Sequence, residues 1–175
     1  VQLDDAGQRF ECYVDTSAAS EQMSALQKNT QLATESHWQA LDIEAGIARI
    51  DTDMVEQYIP QTLNFDLTGH ISFTKGCYTG QEVVARLHYR GTPKRRSFIA
   101  RLQNAATPTS GAELYAETAG SSVGNLVNPI SLDGNVLALA AATLNGAESG
   151  LHLDSLDGPL LELIDLPYPL SADAD

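Results

Sequence analysis

Cysteine is nearly absent: the 175-residue chain has only Cys12 and Cys77, and no C-x-x-C pair. That excludes the disulfide framework of a small secreted domain and the usual structural zinc sites. A reducing, cytoplasmic location is expected. Long apolar runs are missing too, with nothing near the roughly 20 residues that a membrane span requires, so no bilayer crossing is predicted. Positive charge is scarce, since ten Lys and Arg stand against 23 Asp and Glu and leave a net charge of −13. Such a chain repels polyanions over most of its surface, which disfavours wrapping nucleic acid or lying on an anionic membrane. The start lacks both an initiator Met and a signal-peptide pattern, so Val1 is expected to begin a fragment or a processed product.

The few cations are gathered in one place. Lys75, Arg86, Arg90, Lys94, Arg95, Arg96 and Arg101 lie in a 27-residue stretch whose only acid is Glu82, giving that stretch +6 and the remainder −19. One use of such a cluster is to balance an acidic neighbour within the molecule; the other is to bind an anion.

Hydrophobic periodicity predicts an α+β region followed by a small β-barrel. Alternation over 9–14 reads as a half-buried strand, and Thr16-Ser17 caps a helix over 17–28 with Ala19, Met23 and Leu26 on one face. A second helix is predicted over 36–45, capped by Ser36 and ended by Gly46, with Trp38, Leu41 and Ala45 on its apolar face. Pro60 breaks any further helix, and 71–73 reads as a short strand. Beyond Pro93, short apolar stretches at 97–102, 112–116, 122–127, 136–142 and 160–164 are separated by turn residues, with Gly134, Gly146, Gly150 and Gly158 marking the turns. This spacing suggests an antiparallel sheet closed as a barrel. The expected organisation is an α+β region over 1–93, the barrel over 94–168 and a small, acidic, disordered tail over 169–175.

One segment is hard to explain as packing: Lys75-Gly76-Cys77-Tyr78-Thr79-Gly80-Gln81-Glu82. Its two glycines permit close backbone approach and positive φ, and a helix is predicted to begin at Gln81. Free N–H groups at that helix start, with Lys75 nearby, would stabilise a thiolate at Cys77. Cysteine-protease chemistry needs a histidine within reach of the thiol, and His70 and His88, nearest in sequence, have no distinctive setting. A metal set of His70, Cys77 and His88 matches no ligand spacing, and no metal site is predicted. Glu82 and Arg86, four apart, read as an ion pair along a helix.

This segment resembles the signature of the YgfZ-type proteins, folate-binding relatives of the glycine-cleavage T-protein, an aminomethyltransferase. The likeness extends through Ile43-Glu44-Ala45-Gly46-Ile47, Pro60-Gln61, Asn64, Ile71-Ser72-Phe73, Val84-Ala85-Arg86, Gly91 and Lys94-Arg95, so residues 36–96 carry nearly all of its specificity. Cysteine within the signature separates the YgfZ type from true T-proteins. The resemblance implies a three-domain ring that binds tetrahydrofolate, of which this chain covers about half. The N-terminal domain, where T-proteins keep the aspartate used in aminomethyl transfer, would be absent. Asp5-Ala6-Gly7-Gln8-Arg9-Phe10-Glu11 looks like a degraded form of a T-protein stretch, which makes Glu11 the carboxylate that bonds the pterin. A carboxylate can accept two parallel hydrogen bonds from a pterin's pyrimidine edge, and Arg86, Arg90, Lys94 or Arg95 can pair the anionic glutamate tail.

The leading expectation is a tetrahydrofolate-binding accessory protein for iron–sulfur cluster assembly or repair. Its partners would be client or assembly proteins, tRNA-modifying enzymes among them. Cys77 would be the working thiol, holding a cluster or metal transiently or forming a mixed disulfide, with Lys75 beside it. A tetrahydrofolate-dependent aminomethyltransferase-like enzyme is the alternative, and an RNA-contacting module using the basic stretch is a third reading that the acidic remainder disfavours.

Overall fold

The computed structural model describes residues 1–3, 7–103 and 105–170. Asp5, Ala6 and most of the expected acidic tail, residues 171–175, lie outside them. The chain divides into two units, Val1–Thr34 and Glu35–Asp175.

In the first unit the half-buried strand predicted over 9–14 does not form. Gln2 and Phe10 make an isolated antiparallel bridge, flanked by Leu3 N–H to the Arg9 carbonyl and Glu11 N–H to the Val1 carbonyl, both 2.8 Å. Two short extended segments without a third strand or a packed face are only marginally stable, which is why alternation alone builds no strand here. Helix α1 spans Ala19–Leu26, shorter than expected at both ends. Its N-cap is Ala18, which has no capping oxygen, and none of its residues is buried. Thr16 and Ser17 lie in the turn before it.

The second unit opens with α2, Glu35–Glu44, one residue earlier than predicted, so Ser36 lies within the first turn and does not cap it. Gly46 ends the helix as expected. Its N–H donates to the Ile43 carbonyl (2.8 Å) and the Ile47 N–H to the Asp42 carbonyl (2.9 Å), the paired bonds of a Schellman motif. Gly46 has φ +67°, and a Cβ there would lie 2.5 Å from the Tyr168 hydroxyl. Two 3-10 turns follow, Thr52–Met54 and Pro60–Leu63, the second with Pro60 at its start. Helix α3, Gln81–Arg90, then leads into the sheet. Residues 71–73 are irregular, not a strand.

Six strands, β1 (Arg95–Gln103), β2 (Glu113–Tyr115), β3 (Gly124–Leu132), β4 (Asn135–Thr143), β5 (His152–Leu153) and β6 (Glu162–Ile164), form one antiparallel sheet in the order β5-β2-β3-β4-β1-β6. It curls into a half-barrel where the strand spacing suggested a closed barrel. The segment over 159–164 serves both edges. Its start bonds to β5 through Leu153 N–H to the Pro159 carbonyl (3.0 Å) and Leu161 N–H to the Leu151 carbonyl (2.8 Å), and its end pairs with β1 as β6. The β3–β4 hairpin turns on Asp133-Gly134, both at positive φ (+50° and +79°), as a two-residue loop of matching twist demands. Gly146 is not a turn residue: it lies in a short helix, α4 (Leu144–Ser149), where its N–H donates to the Thr143 hydroxyl at 3.2 Å.

Strand β4 explains the layering. Its sequence Asn-Val-Leu-Ala-Leu-Ala-Ala-Ala-Thr is apolar on both faces, and positions 136–142 are all buried. Val136, Ala138, Ala140 and Ala142 pack with Leu102, Leu114, Leu126 and Leu151 inside the curl. Leu137, Leu139 and Ala141 face the other way, against Ala40 and Ile43 of α2 with Met54 and Leu63 of the 3-10 turns. Each fully buried aliphatic side chain contributes about 1.5–3 kcal/mol. This second layer holds in place the segment over 46–94, from which the signature loop and α3 project.

Candidate functional site

The layer beneath α3 is polar and closed. Gln61, buried on the 3-10 turn, donates from Nε2 to the Val84 carbonyl of α3 at 2.7 Å. Arg96 lies alongside on β1, its guanidinium bonded to the Gln61 carbonyl (2.9 Å) and paired with both oxygens of Asp66 (2.6 and 3.1 Å). Both partners are under a tenth exposed, at 7% and 8%. Asn64, in the left-handed conformation at φ +59°, reaches the Ser97 carbonyl at 2.7 Å and receives the Ser97 N–H at 3.3 Å. Tyr168 donates its hydroxyl to the Gly46 carbonyl at 2.7 Å, and its partial burial pushes the phenol up from 10. Gln61, Asn64 and Gly46, which carried part of the resemblance, are therefore scaffold residues in this unit.

On this base stands the signature loop, and it is open to solvent. Phe73 stacks on His88 of α3 at 3.7 Å between centroids, 11° from parallel, while the Lys75 N–H donates to the Ser72 hydroxyl at 3.2 Å. At the other foot Gln81 accepts the Tyr78 N–H at 3.1 Å, and Gly80, at φ +84°, turns the chain into α3. Cys77 is exposed at the free crest. The Lys75 ammonium sits 4.8 Å over the Tyr78 ring, a cation–π contact. Of the two glycines only Gly80 has positive φ, and a Cβ at either would meet nothing within 4 Å. Close approach within this unit thus explains neither glycine. His70 bonds to the Thr68 hydroxyl at 2.8 Å, whereas His88 is spent on the Phe73 stack.

The basic cluster comes apart into distinct roles. Arg96 is structural, and Arg101 pairs with Glu162 at 3.6 Å. Glu82 and Arg86 form no ion pair, contrary to their spacing. Both line one hollow of about 400 Å³, together with Ile59, Val83, Leu87, Arg90 and Gly91. Arg95 lines an adjoining hollow of about 350 Å³ with Asp53, Tyr58 and Thr62, and Ile59 belongs to both. Burial raises the Tyr58 phenol above its ordinary range, and the Arg95 charge pulls partly against that. Lys94 stands apart, in a third hollow with Pro93, Thr118 and Ser122. Sequence reasoning missed the Arg96–Asp66 pair, because thirty residues separate the two and neither carries a local signal.

Glu11 belongs to the first unit. Its carboxylate accepts the Tyr13 hydroxyl, and this bond raises the Tyr13 phenol above 10. Among the described residues no helix is long and apolar enough to cross a membrane.

No family model matches the chain. It is 37% identical over 171 residues to the tRNA-modifying protein YgfZ of Yersinia enterocolitica. That alignment takes in 95% of this chain and 52% of the relative, so the chain spans about half the length of the curated relative it matches.

Proposed function

Because the chain belongs to the YgfZ-type proteins, we propose that it is a tetrahydrofolate-binding accessory protein for iron–sulfur cluster assembly or repair, supporting cluster-dependent enzymes that include tRNA-modifying ones. The observation that carries this reading is the exposed Cys77 on a loop whose feet are fastened and whose crest is free. A thiol so presented reaches a partner molecule without rearrangement of the fold. Cys77 holds the cluster or metal cargo transiently, and Lys75 supplies positive charge on the same loop.

The residues of the second unit fit part of a folate. A folate ends in a glutamate, an anion on an aliphatic stem. Arg86 and Arg90 are exposed in a hollow with the apolar Ile59, Val83 and Leu87, so a carboxylate can pair with a guanidinium while its methylenes cover the apolar floor; Arg95 is exposed in the neighbouring hollow that shares Ile59. Within the first unit, Glu11 carries a carboxylate of the kind that serves a pterin's two parallel N–H donors.

The test is made in cells lacking the protein, complemented with wild type, Cys77→Ala or Cys77→Ser, with thiolated tRNA measured by mass spectrometry. Both variants are expected to lower thiolation several-fold at equal protein level. Thiolation at the wild-type level in Cys77→Ala rejects the thiol's role.

A further inference from the structure

The hollow that holds Arg95 lies within the second unit and differs in character from the one beside α3. Three stretches of chain build it. The first 3-10 turn supplies Asp53 and Met54, the link and the second turn supply Tyr58, Ile59 and Thr62, and the start of β1 supplies Arg95. Its volume of about 350 Å³ falls within the range of small-molecule sites, roughly 300–1,000 Å³.

Asp53 and Arg95 bring opposite charges into this one space, yet they form no ion pair with each other or with any other described residue. Two opposite charges held apart in a hollow complement a ligand that carries both. Thr62 is a second, independent sign. It is only 6% exposed, its N–H donates to the Ile59 carbonyl at 2.9 Å and its carbonyl accepts the Ser97 hydroxyl at 3.1 Å, but its own hydroxyl has no partner among the described residues. A hydroxyl left over in a nearly buried side chain is satisfied by whatever fills the space beside it. Half-buried Tyr58 also leaves its phenol unbonded among the described residues. Burial raises that phenol, with the Arg95 charge pulling the other way, so near neutral pH it remains a donor.

A lone anion would satisfy Arg95 and be repelled by Asp53, and a lone amine has the reverse fault. A zwitterion meets both demands: its carboxylate takes the guanidinium fork and a hydroxyl donor, and its ammonium takes the aspartate. Met54, buried, and Ile59 offer apolar surface to an aliphatic stem. An acidic stem fits worse, since Arg95 is the single cation lining the hollow and a second carboxylate would lie over apolar surface.

We propose that this hollow binds a free α-amino acid with an aliphatic side chain. Such a ligand shares only a carboxylate with a folate tail, so the site goes beyond the folate reading and does not rest on it. The experiment is a calorimetric titration of the full-length protein with L-leucine, L-glutamate, isocaproate and isoamylamine, the last two being leucine without its ammonium and without its carboxylate. Leucine is expected to bind with a dissociation constant of about 1 mM or tighter, and each truncated analogue about tenfold more weakly, the scale of one lost charge-assisted pair. Arg95→Gln and Asp53→Asn each weaken leucine by a similar factor. Both side chains are exposed, so an unchanged urea midpoint shows each variant folded, and the analogue series on the wild-type protein decides the matter without any variant. Absence of leucine binding at about ten times that concentration overturns the proposal. So do analogues that bind as well as leucine, or glutamate that binds as tightly, which would mark the hollow as a site for a carboxylate alone.

Discussion

Among the seven cations between Lys75 and Arg101, burial separates one from the rest. Arg96 sits under α3 with its charge matched by Asp66 and a further Nη1 donor on the Gln61 carbonyl. Removing one partner leaves the other charged and out of water, so Asp66→Ala is expected to cost about 3–5 kcal/mol in urea unfolding. A loss below about 1 kcal/mol, the scale of an exposed pair, contradicts this account. In sequence Arg96 is indistinguishable from its neighbours Lys94 and Arg95. Strand β1 decides the matter, by carrying Arg96 into the polar layer and leaving Arg95 in an open hollow. Cys77 is the opposite case: glycines and a lysine around it marked it as unsuited to a core, and it is exposed.

The elements whose termini carry strong local chemistry were the legible ones. Helix α2 ends at Gly46, the β3–β4 hairpin turns on Asp133-Gly134, and α3 begins at Gln81, each where a glycine meets its backbone requirement. Gly46 shows what such a position is worth. Gly46→Ala forces an alanine to φ +67° and its methyl onto the Tyr168 hydroxyl and Leu166, combining left-handed strain with overpacking. A loss of about 2–4 kcal/mol is expected from these two effects, read as a lowered denaturation midpoint with the slope unchanged; a midpoint at the wild-type value shows that the contact yields freely. The misread segments, 9–14 and 71–73, have alternation but no neighbouring strand, and alternation becomes a strand only when another backbone accepts its hydrogen bonds.

At the scale of the whole molecule the two units differ in how deeply they are packed. No described residue of Val1–Thr34 is buried, while the sheet of Glu35–Asp175 holds Leu114, Leu126, Val136 and Leu139 at 0% exposure. Amide exchange is therefore expected to be fast throughout α1 and slowest in β1, β3 and β4, by several orders of magnitude, because an amide with no buried layer above it opens without global unfolding. Protection of α1 equal to that of β4 refutes this. Local pattern alone located most of the strands beyond Pro93 and the loop bearing Cys77, since each follows from residues close together in the chain. Only the tertiary structure decided which cations are buried and which line a groove, and that Gln61, Asn64 and Gly46 brace the layer under α3. Those roles depend on partners tens of residues away, whose approach is set by packing on both faces of β4 and leaves no trace in any local window.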